Sequence, residues 1–171
     1  MAEIPSTPAD GNFKVVLVPT IANPKAPKVS ELTGAGVVDI SCYLTGDGFN
    51  PSVDQASISD ARMCSRQEYE KPGRETHTLE VTYIDNTNSP DEDDSNVAAD
   101  TLLRGSKHYV VLRRGVAYED AFATGQKVTV WSVEAGIPQM VAPEANSVIR
   151  TSQKLFVTGE TNTAVAVVAG P

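Results

Sequence analysis

The feature that most constrains this chain is a pair of strand-like segments, the second of which is too polar to be buried. Residues 37–44 form the first segment, residues 45–56 a loop rich in Gly, Asn and Pro, and residues 57–64 the second segment. The second segment has the spacing of a strand but too few large apolar side chains to cover a core. Its edge and faces are therefore expected to meet water or another subunit, which indicates assembly rather than catalysis.

Alternation of apolar and polar residues predicts further strands along the chain. It is clearest between Arg74 and Asp85, where Leu79, Val81 and Tyr83 share one face. Other strands are predicted at residues 13–18, 107–114 and 127–133, and within 148–158. A single helix is predicted at about residues 90–104, because Ser89 to Glu92 has the spacing of a capping box and Gly105 can end the helix.

The length of 171 residues fits one domain. Residues 1–12 contain prolines and small polar residues and are predicted to be an N-terminal arm, followed by a β domain at 13–158. Residues 159–171 are predicted to be a C-terminal tail. The apolar run at 164–169 in this tail would favour aggregation if it were bare, so another chain is expected to cover it.

The charge of the chain argues against tight binding to nucleic acids or membranes. The formal net charge is -8, and an acidic surface repels phosphate backbones and anionic lipids. The same charge suits a surface along which DNA passes without binding. The N-terminus lacks the pattern of a signal peptide, and the run at 164–169 is far shorter than the ~20 residues of a membrane helix. We therefore expect a soluble chain made in the cytoplasm.

The chain offers few residues for catalysis or for metal binding. His77 and His108 both fall in predicted strands, so packing roles are expected for them, and no catalytic residue is assigned. Cys42 and Cys64 lack the ligand spacing of a zinc site, and both are expected to be reduced and structural. The acidic run beginning at Asp85 departs from a calcium-binding loop at its sixth and twelfth positions. No metal and no cofactor is expected.

Four arginines are conspicuous in an acidic chain. Arginine pairs well with carboxylates across interfaces, because its guanidinium group is planar and always charged. The candidates for a subunit interface are Arg62, Arg74, Arg113 and Arg114. The alternative is that these residues are ordinary solvated strand ends.

Several segments resemble a known family. The order of predicted elements and the segments Ala61–Cys64, Pro72–Thr76, Tyr109–Gly115 and Pro143–Val148 resemble the major tail tube proteins of long-tailed (siphovirus-type) phages of actinobacteria. The resemblance implies a β-sandwich or partial barrel with one flanking helix. It also implies hexameric rings in which the strands of neighbouring subunits join a ring-wide β-barrel, and rings that stack into a tube.

The resemblance also implies partners and roles. The tube would assemble in the host cytoplasm around a tape-measure protein, between tail tip and tail terminator proteins, and would pass DNA as part of the virion. The loop at 45–56 would contact a neighbouring ring, with Phe49 as its buried anchor. From the polar faces of the two opening segments, we expect Asp39 and Ser41 on one, and Asp60 with Ser57 or Ser59 on the other, to face the lumen. The alternative function is another virion β-sandwich, such as a capsid decoration or a carbohydrate-binding adhesion module.

Overall fold

The computed structural model describes residues 3–170, which form a mostly β structure and confirm the predicted fold class. Over these residues there are eight strands: β1 (Phe13–Val18), β2 (Val38–Asp39), β3 (Leu44–Asp60), β4 (Tyr69–Ile84), β5 (Lys107–Arg114), β6 (Lys127–Met140), β7 (Arg150–Val157) and β8 (Asn162–Ala166). The same residues contain three short helices: α1 (Val29–Leu32), α2 (Glu92–Ser95) and α3 (Val97–Thr101).

The strands form one antiparallel sheet in the order β2-β1-β5-β6-β7-β4-β3, with β8 also paired to β6. Strands β2 and β3 lie at opposite ends of this order, yet only residues 40–43 connect them. Four residues span at most ~14 Å, so the two edges must approach each other. The backbone N–H of Ile84 in β4 donates to the Tyr43 carbonyl oxygen of this connection at 2.8 Å. The sheet is therefore curled into a half-barrel.

The main hydrophobic core fills the inside of the curl. Leu79, Val81 and Tyr83 of β4 are each 1% exposed or less, as the alternation of the sequence predicts. They pack with buried residues of four other strands, β1, β5, β6 and β7, and with Ala98 and Leu102 at α3. Burying a large apolar side chain stabilises a fold by about 1.5–3 kcal/mol, so this cluster supplies much of the stability.

A second cluster covers the outer face of β1, β5 and β6. Its strand residues are Val16, Val18, Val111, Val128 and Val130, and its cover consists of Ile21, Leu32, Phe122 and Val167. Neighbours such as Leu17 and Val110 face the first cluster, so these strands are buried on both faces. This explains their almost uninterrupted apolar sequence.

The C-terminal segment is part of this fold. Strand β8 pairs with β6, and Val167 is 1% exposed within the second cluster. The N–H of Val167 donates to the Gln126 carbonyl at 2.9 Å, and its carbonyl accepts from Gly125 at 2.8 Å. The apolar run is therefore not bare in the single chain: Val167 is buried, whereas Ala164 and Ala169 are exposed. Cover of the exposed part by another chain stays a prediction. Pro171 lies outside the described residues.

The predicted arm and the predicted helix have different outcomes. Residues 3–12 precede β1 and are exposed except for Asn12, which is half-buried; Met1 and Ala2 lie outside the described residues.

The predicted helix at 90–104 is wrong in extent, because the helical conformation is interrupted between α2 and α3 at Asn96. The buried Asn96 side chain accepts from the Asn86 N–H at 2.9 Å. Such side-chain bonds to the backbone compete with helix formation.

The predicted loop at residues 45–56 is also wrong, since these residues belong to β3. Pro51 is tolerated because β3 is an edge strand, where the N–H that proline lacks is not needed for a hydrogen bond between strands. A bulge between Leu44 and Phe49 absorbs the register shift, and a Cβ at Gly48 would collide with the Thr82 carbonyl. Within the segment predicted as a strand at 37–44, only Val38 and Asp39 pair as β2, because the chain turns at 40–43.

Candidate assembly surface

A two-stranded ribbon, defined here as residues 50–78, is mostly exposed. Strands β3 and β4 pair from Phe49 with Val81 out to Asp60 with Tyr69, whereas the pairing of β4 with β7 ends at Leu79. Beyond Leu79 the two strands pair only with each other. Ten residues of β4, 69–78, therefore extend ~33 Å from the sheet at the usual rise per residue.

The ribbon exposes apolar side chains. Val53, Ile58 and Tyr69 are 56%, 55% and 50% exposed. Directly opposite residues of an antiparallel pair share a face, so Val53 lies beside His77, and Ile58 lies beside Lys71 on the other face. An isolated two-stranded hairpin is at best marginally stable in water. The ribbon thus has the composition of a segment that is completed by a partner.

The tip of the ribbon, defined as residues 61–67, carries a net positive charge. Arg62 binds the Asp60 carboxylate through Nε and Nη2 at 3.1 and 3.0 Å, and Lys71 contacts the same carboxylate at 3.1 Å. The bond from Arg62, followed by that from Lys71, lowers the pKa of Asp60. Met63 is fully exposed and the thiol of Cys64 is exposed beside it.

A groove lies near the other end of β3. It encloses ≈ 570 Å³ between the N-terminal arm, β1, the start of β3 and the residues after β5. We name it the Phe13 groove after a residue on its wall that is 45% exposed. Its apolar wall consists of Phe13, Val15, Leu44, Phe49 and Leu112, and Asp10, Cys42, Tyr118 and Glu119 also line it.

Phe49, predicted to be an anchor in a neighbouring ring, packs into its own subunit. Its ring meets Trp131 edge to face, with centroids 5.8 Å apart. The exposed side of Phe49 lines the Phe13 groove. The bulge in β3 turns this side chain toward its own core, and its role as an anchor between subunits stays a prediction.

The four predicted interface arginines do not lie on one surface. Arg62 is at the tip, Arg74 is exposed on the ribbon and Arg114 is exposed at the end of β5. Arg113 is fully buried, and it donates to the carbonyls of Ala117 and Ala121 at 2.7 and 2.9 Å. Its guanidinium also lies 5.1 Å from the centre of the Phe122 ring, and burial lowers its pKa. Arg113 holds the loop after β5 and is unavailable to another subunit.

The four residues predicted to face a lumen are likewise separated. Asp39 accepts hydrogen bonds from the N–H and Oγ of Ser41 at 2.9 and 2.6 Å and lies 3.8 Å from Lys14 Nζ. Ser41 Oγ also accepts from the Val15 N–H at 2.8 Å, so these two residues hold the turn between β2 and β3. Ser57 and Asp60 lie on the ribbon, on opposite faces because three positions separate them along the strand.

The remaining polar groups suggest packing roles. His108 Nε2 lies 3.2 Å from the Thr101 carbonyl and burial lowers its pKa, while His77 lies 3.4 Å from Glu75 on the ribbon. Both cysteines are exposed, so the expectation of buried structural thiols is wrong. Within residues 3–170, no cluster of His, Cys, Asp or Glu could hold a metal ion. The helices in this range are too short and polar to cross a membrane.

A half-barrel with a free edge strand and an exposed apolar ribbon is typical of a structural protein that assembles through its sheet. A family model described as phage tail tube protein matches residues 1–170. The chain belongs to this family, which is structural and in general non-enzymatic, and it is thus a phage tail structural protein. Sequence reasoning found this family but missed the ribbon, whose only signal was strand spacing with few large apolar residues at 57–64.

A solved structure supports the fold. One chain of the cryo-EM structure of the anti-feeding prophage (AFP) baseplate, 6-fold symmetrised, aligns with a TM-score of 0.51 and 16% identity. The alignment covers 92% of this chain and 95% of that chain. At this identity the likeness shows the fold alone. A search of the curated proteins returns no match.

Proposed function

We propose that this chain is the tail tube subunit itself: six copies form a ring, and rings stack into a hollow conduit for DNA. The observation that carries the proposal is the free edge of β3, a strand of 17 residues at the end of the sheet order. Long exposed edges promote uncontrolled pairing unless they are covered, and pairing between neighbouring subunits around a closed ring covers every edge. The 6-fold symmetrised baseplate that contains the structural neighbour supports the ring number.

The surface chemistry supports a conduit. The net charge of -8 discourages adhesion of DNA. We place the lumen on the exposed face of the sheet that carries Glu80 and Ser152, whose side chains are 2.7 Å apart, and on its continuation to Asp54 and Asp60 along the ribbon. Asp39 and Ser41 are not part of this proposal, because their polar groups bond within the turn.

The proposal extends to the setting of the tube. The subunit would assemble in the host cytoplasm with tape-measure, tail tip and tail terminator proteins, and would then reside in the virion tail. The segments at 61–64 and 109–115 support a long-tailed phage of actinobacteria as the source. The family match does not favour the alternative of a decoration or adhesion module.

Electron microscopy and sedimentation of the purified protein over a range of concentrations test the proposal. Rings or hollow tubes are expected at high concentration. The matched variant replaces residues 54–76 with Asn-Gly, which joins the paired residues Val53 and His77 through a tight turn and leaves the core intact. It is expected to fold and to remain monomeric. A native chain that stays monomeric at every concentration, or a ribbonless chain that still forms tubes, would contradict the proposal.

A further inference from the structure

We infer that the tip of the ribbon of one copy docks in the Phe13 groove of another copy, with Met63 as the inserted side chain. The inference rests on the proposed function in that it requires copies to assemble. It goes beyond that function because it assigns the two surfaces that meet. The tip is residues 61–67, and the groove is the ≈ 570 Å³ cavity described above.

The tip has the chemistry of an inserted segment. Met63 is fully exposed at the far end of the ribbon. Methionine is flexible and polarisable, so it fits irregular apolar cavities well. Residues 61–67 include Arg62 and Arg66 and no acidic residue. Arg66 is exposed and forms no ion pair within residues 3–170.

The groove has the complementary chemistry. Its wall is apolar, and its volume is that of a site able to enclose a drug-sized group, so it can take one side chain with its flanking backbone. Asp10 and Glu119 line the groove, are exposed and form no ion pair within the described part of the chain. Two free carboxylates thus lie beside an apolar cavity. The tip presents the unpaired guanidinium of Arg66, together with that of Arg62, which is bound to Asp60, beside an apolar side chain. Opposed charges of this kind fix the register of an interface.

The position of the two surfaces requires a second copy. Phe49 lines the groove and Asp60 adjoins the tip, and both belong to β3. The eleven residue steps from Phe49 to Asp60 span ~36 Å of extended strand, so a tip cannot reach the groove of its own subunit. Contact between different surfaces of identical chains is heterologous, and it repeats from copy to copy. Such a contact suits a tube, in which every subunit is in turn donor and acceptor.

The two cysteines of the chain provide an internal probe. Cys42 lines the groove and Cys64 follows Met63 at the tip, and both thiols are exposed. Docking brings Cys64 of one copy close to Cys42 of the next. A short bis-maleimide can join such thiols: each sulfur adds to one maleimide double bond, the thiol proton ends on the neighbouring carbon, and no oxidant is needed.

The experiment treats the assembled protein with the bis-maleimide and separates the products on a denaturing gel. The native chain is expected to give a ladder of covalent multimers. The variants Cys42→Ser and Cys64→Ser are each expected to give monomers when assembled alone, and a mixture of the two is expected to give dimers and nothing larger. Dimers from either variant alone would show contact between like surfaces and overturn the inference.

Electron micrographs of the same samples separate the two proposals. Absence of rings and tubes contradicts the proposed function. Tubes that give no ladder contradict only the docking of the tip in the groove, because assembly has then occurred without bringing Cys42 near Cys64. A dilute sample in which no assemblies form is the matched control and is expected to give monomers.

Discussion

The ring of Phe49 meets the ring of Trp131 edge to face, at an interplanar angle of 65° and with centroids 5.8 Å apart. Phe49 is the residue at which β3 resumes its pairing with β4 after the bulge, and Trp131 lies in β6 within the core. The contact therefore fixes the base of the ribbon to the half-barrel. The ribbon is about 30 Å long, so its tip can meet a partner in one orientation only if its base is held in place.

Replacing Phe49 with alanine should destabilise the subunit. Fully buried Phe→Ala changes cost 3–5 kcal/mol, and Phe49 is half-buried, so a loss of about 2 kcal/mol in the free energy of unfolding is expected. Urea unfolding of dilute monomer measures this. The control is Val53→Ala, four residues further along β3 and 56% exposed, which should change the value by less than about 0.5 kcal/mol. Equal effects would mean that the aromatic contact does not anchor the ribbon.

Arg113→Lys should also destabilise the fold, although both residues are cationic. One ammonium group cannot reproduce the two directed bonds of the guanidinium to Ala117 and Ala121. Hydrogen bonds to charged groups contribute about 1.5–3 kcal/mol each, so a loss of about 2 kcal/mol is expected in thermal or urea unfolding. Arg114→Lys, at the adjacent exposed position, should be nearly neutral. A neutral Arg113→Lys would mean that the loop after β5 does not depend on these bonds.

The C-terminal segment offers a test of fold against assembly. Val167→Ala removes two methyl groups from a fully buried site and should cost about 1–2 kcal/mol of subunit stability. Ala169 is exposed two residues later, and Ala169→Ser should leave stability unchanged. The readout is unfolding of dilute monomer. If Val167→Ala weakened only the assembly of tubes, the segment would belong to an interface rather than to the subunit core.

Strands that are buried within a single subunit could be predicted from the sequence. Leu79, Val81 and Tyr83 alternate because one face meets the core, so their strand could be located. The sequence predicts a loop at 45–56 because Gly, Asn and Pro usually weaken a strand. In the structure these residues lie in an edge strand, where a bulge accommodates them and no outer strand requires the N–H that proline lacks.

The site residues were less predictable, because residue type does not specify a partner. Arg113 and Arg114 are adjacent residues of the same type, yet Arg113 is buried under the loop after β5 and Arg114 faces water. Asp39 and Asp60 both follow strand-like residues, yet Asp39 caps a turn whereas Asp60 pairs with Arg62 at the tip. Only the tertiary fold separates these cases.

The pKa of Asp60 should lie below its ordinary value of 3.8, because Arg62 and then Lys71 stabilise its charged form. A carboxylate whose pKa is lower in the folded than in the unfolded chain contributes stability above the unfolded value, and the contribution is lost as pH falls through the lowered value. NMR titration of the dilute monomer should show Arg62→Gln raising the pKa of Asp60 toward 3.8. Arg66→Gln is the control and should leave it unchanged. An unchanged pKa in Arg62→Gln would show that the pair does not form in solution.

Substitution of Met63 tests the docking of the tip without disturbing the subunit, because this side chain is fully exposed in the monomer. Met63→Asp should raise the concentration needed for assembly at least about tenfold, since loss of ~1.4 kcal/mol per contact has that effect and a carboxylate would also face Asp10 and Glu119 in the groove. Met63→Leu keeps the apolar volume and should assemble normally. Sedimentation gives the threshold, and dilute unfolding checks that both variants retain native stability. If Met63→Asp assembled at the native threshold, Met63 would lie outside every interface of the tube, and the tip would need another role.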